Sequence, residues 1–202
     1  MLHLPTIWQS LLEGAVSFCA RVNRQGTGGW YQLALLRLMG VRVEGPVAVA
    51  PGVSFLGVRH LRLGRYVTIG ANSRIVSWAP VEIGDDFMAS DLLNINSGAH
   101  DARTLQPINV PVRIGRRVWC GTNVTICAGV EIGDDVVIGA GSVVTKSLPA
   151  NCVAYGVPAK AARPLGRDVP RVWSMWPERA AGSHLENASA LKRRLHWLRA
   201  RI

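Results

Sequence analysis

No run of this sequence reaches the roughly 18 consecutive apolar residues that a membrane span needs. The start, MLHLPTIWQSLLEGAVSFCARVNRQ, has neither the basic lead nor the uninterrupted apolar core of a secretory signal. Cysteine is scarce, with Cys19, Cys120, Cys127 and Cys152 the full set and no C-x-x-C spacing among them. Such thiols suit buried positions in a reducing compartment better than a disulfide or zinc framework. These absences lead to an expected cytoplasmic location. Charged residues make up only 18% against 49% apolar, which argues for a globular chain rather than a disordered one.

What charge there is lies unevenly. The net charge is +10, and residues 163–202 carry nine Lys/Arg against three Asp/Glu. The basicity belongs mostly to this tail and says little about the centre of the chain. No nucleic-acid reader motif accompanies it, so nucleic acid is not an expected partner.

Glycine, at 21 residues, is plentiful, and its distribution follows a period of six. Aliphatic or Cys residues open successive blocks at Ile114, Cys120, Ile126, Ile132, Ile138 and Val144. Four residues later in each block stand Val118, Val124, Val130, Val136, Ser142 and Leu148. An earlier register runs through Leu63, Ile69, Ile75 and Val81, slips by two, and resumes at Ile83, Ala89 and Ile95. Neither a helix nor a strand repeats at six. The period describes a solenoid in which each block is a short strand and a turn, and three blocks close an eighteen-residue coil. The opening position points inward, and about five or six coils stack into one aliphatic column. Gly70, Gly84, Gly115, Gly121, Gly133 and Gly139 are expected to let the backbone bend at the turns. A β-sandwich would instead alternate apolar and polar residues.

The flanks differ from this centre. Residues 1–40 read as N-terminal helices: Trp8, Leu11, Leu12, Ala15, Cys19 and Val22 recur at three-four spacing, QGTGG interrupts, and a short helix from Trp30 to Met39 ends at Gly40. Residues 164–202 read as a basic helical tail. SHLE at Ser183–Glu186 fits a capping box, and Leu185, Ala188, Leu191, Leu195, Leu198 and Ile202 form a stripe with Lys192, Arg193, Arg194, Arg199 and Arg201 mostly off it. This C-terminal amphipathic helix could pack on the solenoid, make contacts within a trimer, or rest on an anionic polymer or on the anionic inner face of the plasma membrane.

The repeat breaks once at length, in NINSGAHDARTLQPINVPVRIG. The register stops at His100 and resumes at Ile114, so residues 101–113 leave the column as a loop. His100 stands at its root, in an outward position, where an imidazole could serve as a general base near neutral pH. Asp91, Asn94 and Asp101 lie close enough in the chain to orient the imidazole or an acceptor, and the sequence does not choose among them.

The segment IGRRVWCGTNVTICAGVEIGDDVVIGAGSVVTKSLPANCVAYGVPAKAAR resembles the hexapeptide-repeat acyltransferases, which have a left-handed parallel β-helix. The likeness covers residues 41–163. VIGAGSVVTKSLPANCVAYGVPAK looks like the closing coil of acetyl-CoA-dependent sugar O-acetyltransferases, and SGAHD with IGRRVWCGTNVTI most resembles the colanic-acid and exopolysaccharide branch. The fold expected is therefore a mainly β, left-handed parallel β-helix with N-terminal helices and a C-terminal amphipathic helix. The resemblance implies a homotrimer with active sites between neighbouring solenoids. It implies that His100 deprotonates a sugar hydroxyl, which attacks acetyl-CoA directly. It places Thr122 at the oxyanion or thioester, Trp119 along the acceptor or pantetheine channel, and Ala140 at a pantetheine amide. Thr145, Lys146, Lys160 and Arg163 would meet the adenosine phosphates, where point charges suit the ligand. The expected acceptor is a surface polysaccharide or its precursor. A small acceptor (antibiotic, free sugar or amino acid) and a non-catalytic scaffold are the alternatives. No metal is expected: a carbonic anhydrase on this repeat needs three His at a shared metal, and the repeat region holds only His60 and His100.

Overall fold

The computed structural model describes residues 30–166 together with residues 7, 8, 11, 14 and 15. Those five are helical, but most of the first expected helix, and all of the expected C-terminal helix, lie outside the described residues. The one helix with described bounds is α1 (Trp30–Leu38), which is followed by Gly40 in the left-handed region at φ 96°. From there to Gly166 the chain is a parallel β-solenoid.

Its three faces are parallel stacks. The first holds β1 (Arg42–Val43), β4 (Leu61–Leu63), β7 (Val81–Ile83), β12 (Val112–Ile114) and β15 (Glu131–Ile132). The second holds β2 (Val47–Val49), β5 (Val67–Ile69), β8 (Met88–Ala89), β13 (Trp119–Cys120), β16 (Val136–Ile138) and β18 (Cys152–Gly156). The third holds β3 (Ser54–Leu56), β6 (Arg74–Val76), β9 (Asn94–Asn96), β14 (Thr125–Ile126) and β17 (Val143–Val144). At the far end β19 (Ala159–Pro164) folds back antiparallel on β18 and covers that edge. At the near end α1 packs on β1 and β2. There the buried Gln32 amide donates to Val49 O at 2.9 Å and accepts from Val49 N at 3.1 Å.

The block-opening residues face inward as expected. Cys120, Ile126 and Val144 are fully buried, and so are Val118, Val124, Val136 and Ser142 from the second position. Burial pushes the Cys120 thiol up to about 12, so it behaves as a small apolar residue and not as a nucleophile. The two-residue slip also has a cause. Val43 pairs with Leu63 and Leu63 with Ile83, twenty residues apart each time, whereas Ile114 pairs with Ile132, eighteen apart. The extra residues sit in the corner between the third and first faces, as the 3-10 turn Val58–His60 in one coil and Ser77–Pro80 in the next.

The glycines have a different role from the one expected. None of the six has a positive φ. The left-handed residue of these corners comes three positions after a block opens, at Asn72, Asp86, Arg117, Asn123 and Asp135. The glycines are needed because the next coil is too close for a side chain. A Cβ on Gly84 would lie 2.7 Å from Gly115 O, and one on Gly121 would lie 2.7 Å from Ala140 N.

Carboxylates staple successive coils. Asp85, Asp91 and Asp134 each reach back one coil and accept the backbone N–H of Arg65, Ala71 and Arg116, at 2.8, 2.7 and 2.8 Å. Asp134 also pairs with the Arg116 guanidinium at 2.7 Å. Partial burial pushes its pKa up, but the Arg116 N–H and guanidinium, with Arg117, outweigh this and hold it below the ordinary carboxylate value.

Two outcomes are expected. Ile126→Ala removes a fully buried side chain from the column. It should cost about 3 kcal/mol in reversible denaturation, within the range for such core truncations. Asp134 binds its proton less well folded than unfolded. Its contribution is therefore complete above the unfolded pKa near 3.8 and is lost as pH falls through the lower folded value. Asp134→Asn should lower Tm at pH 7, and the gap from the parent should narrow as pH falls below 3.8. A gap that stays constant with pH would assign the effect to packing.

Candidate active site

In the third coil the corner between the third and first faces becomes a hairpin. Ser97, fully buried, fixes its root: the Oγ accepts from Ala79 N at 2.9 Å and donates to Ala79 O at 2.9 Å. β10 (Gly98–His100) and β11 (Pro107–Asn109) pair antiparallel, with His100 opposite Pro107, and Val110 N closes the base on Ser97 O at 2.8 Å. The chain thus leaves the column before His100. It has already returned at Val112, which is fully buried and pairs with Val81. The excursion is an ordered hairpin displaced towards the N-terminus from the expected loop 101–113, because Val112 fills an inward place that the six-residue count had assigned to the loop.

His100 is exposed on this hairpin, and among the described residues nothing hydrogen-bonds its imidazole. It borders an open cavity of about 380 Å³. Trp78, Asn96 and Asn109 supply the other polar or aromatic walls, and Gly98, Ala99 and Pro107 complete them. Among the described residues no Asp, Glu, Lys or Arg lines it.

The other expected residues fall elsewhere. Asp101 serves the hairpin's own turn. Its Oδ1 accepts from Arg103 N (2.9 Å), Thr104 N (2.8 Å) and Thr104 Oγ1 (3.0 Å), and the Thr104 and Arg103 N–H groups hold its carboxyl below the usual range. Asp91 is spent on Ala71 N at the opposite edge of the third face. Asn94 shares the outward side of β9 with Asn96, but the cavity takes Asn96.

Thr122 and Ala140 sit at the corner between the second and third faces on consecutive coils, with Gly141 N donating to Thr122 O at 2.9 Å. Trp119 lies half-buried on the second face between Met88 and Val137. Thr145 and Lys146 are exposed after β17, and Lys160 and Arg163 are exposed on β19. One chain therefore does not bring the expected cofactor residues to His100. The width of the third face separates Thr122 from it, on the order of 15 Å at about 3.3 Å per residue. Sequence reasoning missed Trp78, Asn96 and Asn109. Trp78 lies within the two-residue slip, the one signal that pointed to it. Among the described residues no cluster of His, Cys, Asp and Glu could hold a metal ion.

Comparison with known proteins places this interrupted hexapeptide solenoid among transferases. The family model described as bacterial transferase hexapeptide (six repeats) matches residues 111–146. WcaF of Escherichia coli K12, assigned as a colanic acid biosynthesis acetyltransferase, is 37% identical over 127 residues, 62% of this chain and 70% of that protein. Galactoside O-acetyltransferase of the same organism is 35% identical over 135 residues, 64% of this chain and 66% of that protein. Among solved structures, a galactoside acetyltransferase in complex with coenzyme A superposes with TM-score 0.66 at 29% identity, covering 82% of this chain and 84% of that one. A hexapeptide-repeat acetyltransferase from Vibrio cholerae, complexed with acetyl coenzyme A, gives 0.68 at 25%, covering 79% and 86%. The chain belongs to the hexapeptide-repeat acyltransferases.

Proposed function

We propose that the protein transfers the acetyl group of acetyl-CoA to a sugar hydroxyl of a surface polysaccharide or its lipid-linked precursor, with His100 as general base. The observation that carries this reading is the single imidazole, without a hydrogen-bond partner among the described residues, at the mouth of an uncharged cavity where the repeat breaks. An alcohol is a poor nucleophile at neutral pH, whereas a thioester is already activated. The imidazole takes the hydroxyl proton as the oxygen bonds to the thioester carbonyl carbon. The C–S bond then breaks, and the departing thiolate recovers the proton from the imidazolium. The co-substrates in the two related solved structures, coenzyme A and acetyl coenzyme A, support the donor. The names of the sequence relatives support a sugar acceptor.

The stapling pattern supports Thr122 N–H as the oxyanion donor. Where the next coil offers Asp at this corner, the carboxylate takes the N–H, as Asp91 takes that of Ala71. Above Thr122 the next coil offers Ala140, which has no acceptor, and no described residue takes the Thr122 N–H. Because Thr122 and His100 lie at opposite edges of one face, the complete site would need a second copy beside the first. This supports the homotrimer, in which Ala140, Thr145, Lys146, Lys160 and Arg163 would hold the cofactor arm and Trp119 would wall its channel. Action on a lipid-linked precursor would place the enzyme in the cytoplasm at the inner membrane face, and the positive charge of residues 163–202 supports that location.

His100→Ala should lower transfer, followed as thiol release, by about 10²–10⁴-fold. Ala140→Asp should cover the Thr122 N–H as Asp91 covers Ala71, lowering kcat about 10²–10³-fold with Tm unchanged or raised. Co-expressing the two inactive chains should restore up to about one quarter of the parent activity, because a site can then draw each intact half from a different copy. A mixture that stays inactive would place the whole site in one chain. In cells, loss of the protein should remove O-acetyl groups from surface polysaccharide, and unchanged acetylation would move the acceptor to a small molecule.

A further inference from the structure

The residues that share the cavity with His100 point to what it holds. Trp78 is 52% exposed although it sits in a tight corner between coils. Two glycines flank it. A Cβ on Gly57 would come within 3.5 Å of Trp78 Cε3, and one on Gly98 within 2.6 Å of Trp78 Cδ1. The indole is thus seated against hairpin and corner backbone, with a large part of its surface left open. The same point above Gly98 lies 3.3 Å from Asn96 Oδ1 and 3.5 Å from Asn109 Oδ1. One aromatic edge and two amides therefore converge on one place beside the imidazole. Gly98 N donates to Asn96 Oδ1 at 2.9 Å, which engages the amide oxygen and leaves the NH₂ as the donor of that side chain.

We propose that Trp78, Asn96 and Asn109 form a subsite for an uncharged pyranose ring. This deepens the reading given above and rests on His100 being the base. The apolar C–H face of the sugar stacks on the indole, the amides hydrogen-bond its hydroxyls, and one further hydroxyl faces His100. A hydroxyl is both donor and acceptor, so it matches an amide that offers both. Among the described residues no Asp, Glu, Lys or Arg lines the cavity, which selects against an ammonium or carboxylate, because a charge brought into it would lose water without gaining a partner. The volume, about 380 Å³, falls at the lower end of the roughly 300–1,000 Å³ typical of small-ligand sites and suits one ring better than an oligosaccharide. Trp78, on this account, sets acceptor specificity and takes no part in proton transfer.

The experiment is steady-state kinetics with acetyl-CoA and three acceptors of equal size: a neutral methyl pyranoside, its amino-sugar analogue and its uronate. The parent should prefer the neutral ring. Trp78→Ala should raise KM for that ring by about 10- to 100-fold with kcat changed much less, the pattern of lost ground-state binding. The KM for acetyl-CoA should not move, and Trp78→Phe should recover part of the loss. Asn96→Asp, which keeps the acceptor for Gly98 N, should shift preference about tenfold towards the amino sugar. A fall in kcat alone, an equal rise in the KM for acetyl-CoA, or no change in either variant would overturn the subsite while leaving His100 as base. A parent enzyme that releases thiol with none of the pyranosides would overturn the sugar-acceptor reading and this subsite with it.

Discussion

Backbone hydrogen bonds between successive coils are the constraint on which the rest of this structure depends. No coil satisfies its own polar backbone. Arg74 N donates to Leu93 O at 2.7 Å, Asn94 N to Val124 O at 2.9 Å, and Thr125 N to Ser142 O at 2.9 Å, each crossing to the next turn of the solenoid. Parallel strands bonded in this way lie about 4.8 Å apart. At that distance nothing may stand between coils at the corners, which is why glycine occurs where a Cβ would strike the next backbone. The buried serines follow the same logic. Ser73, Ser77, Ser97 and Ser142 are almost wholly buried, and each hydroxyl is bonded to corner backbone, so the polar atom ties the corner down instead of lying unsatisfied.

A stack held this tightly accepts extra residues only where strands do not pair. Three consecutive coils place their insertions at one edge, as a 3-10 turn, a four-residue corner and a hairpin. That edge becomes a small platform beside a rigid column. The rigid part holds Asn96 on a strand, and the inserted parts bring Trp78, His100 and Asn109 over it. The stapling carboxylates show the complementary side of the design. They occupy the corner N–H groups of Arg65, Ala71 and Arg116, and the corner beneath Ala140 has no such carboxylate. On the proposed role of the Thr122 N–H, stability and chemistry compete for the same backbone donors.

Much of the column was legible because its rule is local. A side chain pointing inward every six residues must be aliphatic or small, and Ile114, Cys120 and Ile126 announce this in one dimension. The break at His100 was legible for the same reason, as a failure of the rule. The glycines were misread, because a sharp bend and a close approach both select for the smallest residue and only coordinates separate them. The hairpin's limits were misplaced because Val112 looks like a loop residue until Val81 is seen beside it. Asp91 and Asp101 looked like partners for the imidazole because they are near in the chain, yet both carboxylates serve backbone N–H groups.

The sequence by itself determined the period, the inward column, the number of coils to within one and the imidazole at the break, since each follows from spacing along the chain. Only the tertiary structure decided that Trp78, Asn96 and Asn109 share a cavity with His100, and that Thr122 and Ala140 stand across a face from it. The physical reason is that stacking joins residues about one coil apart. How far apart they are in the chain depends on what each corner inserts, and the six-residue count does not record that.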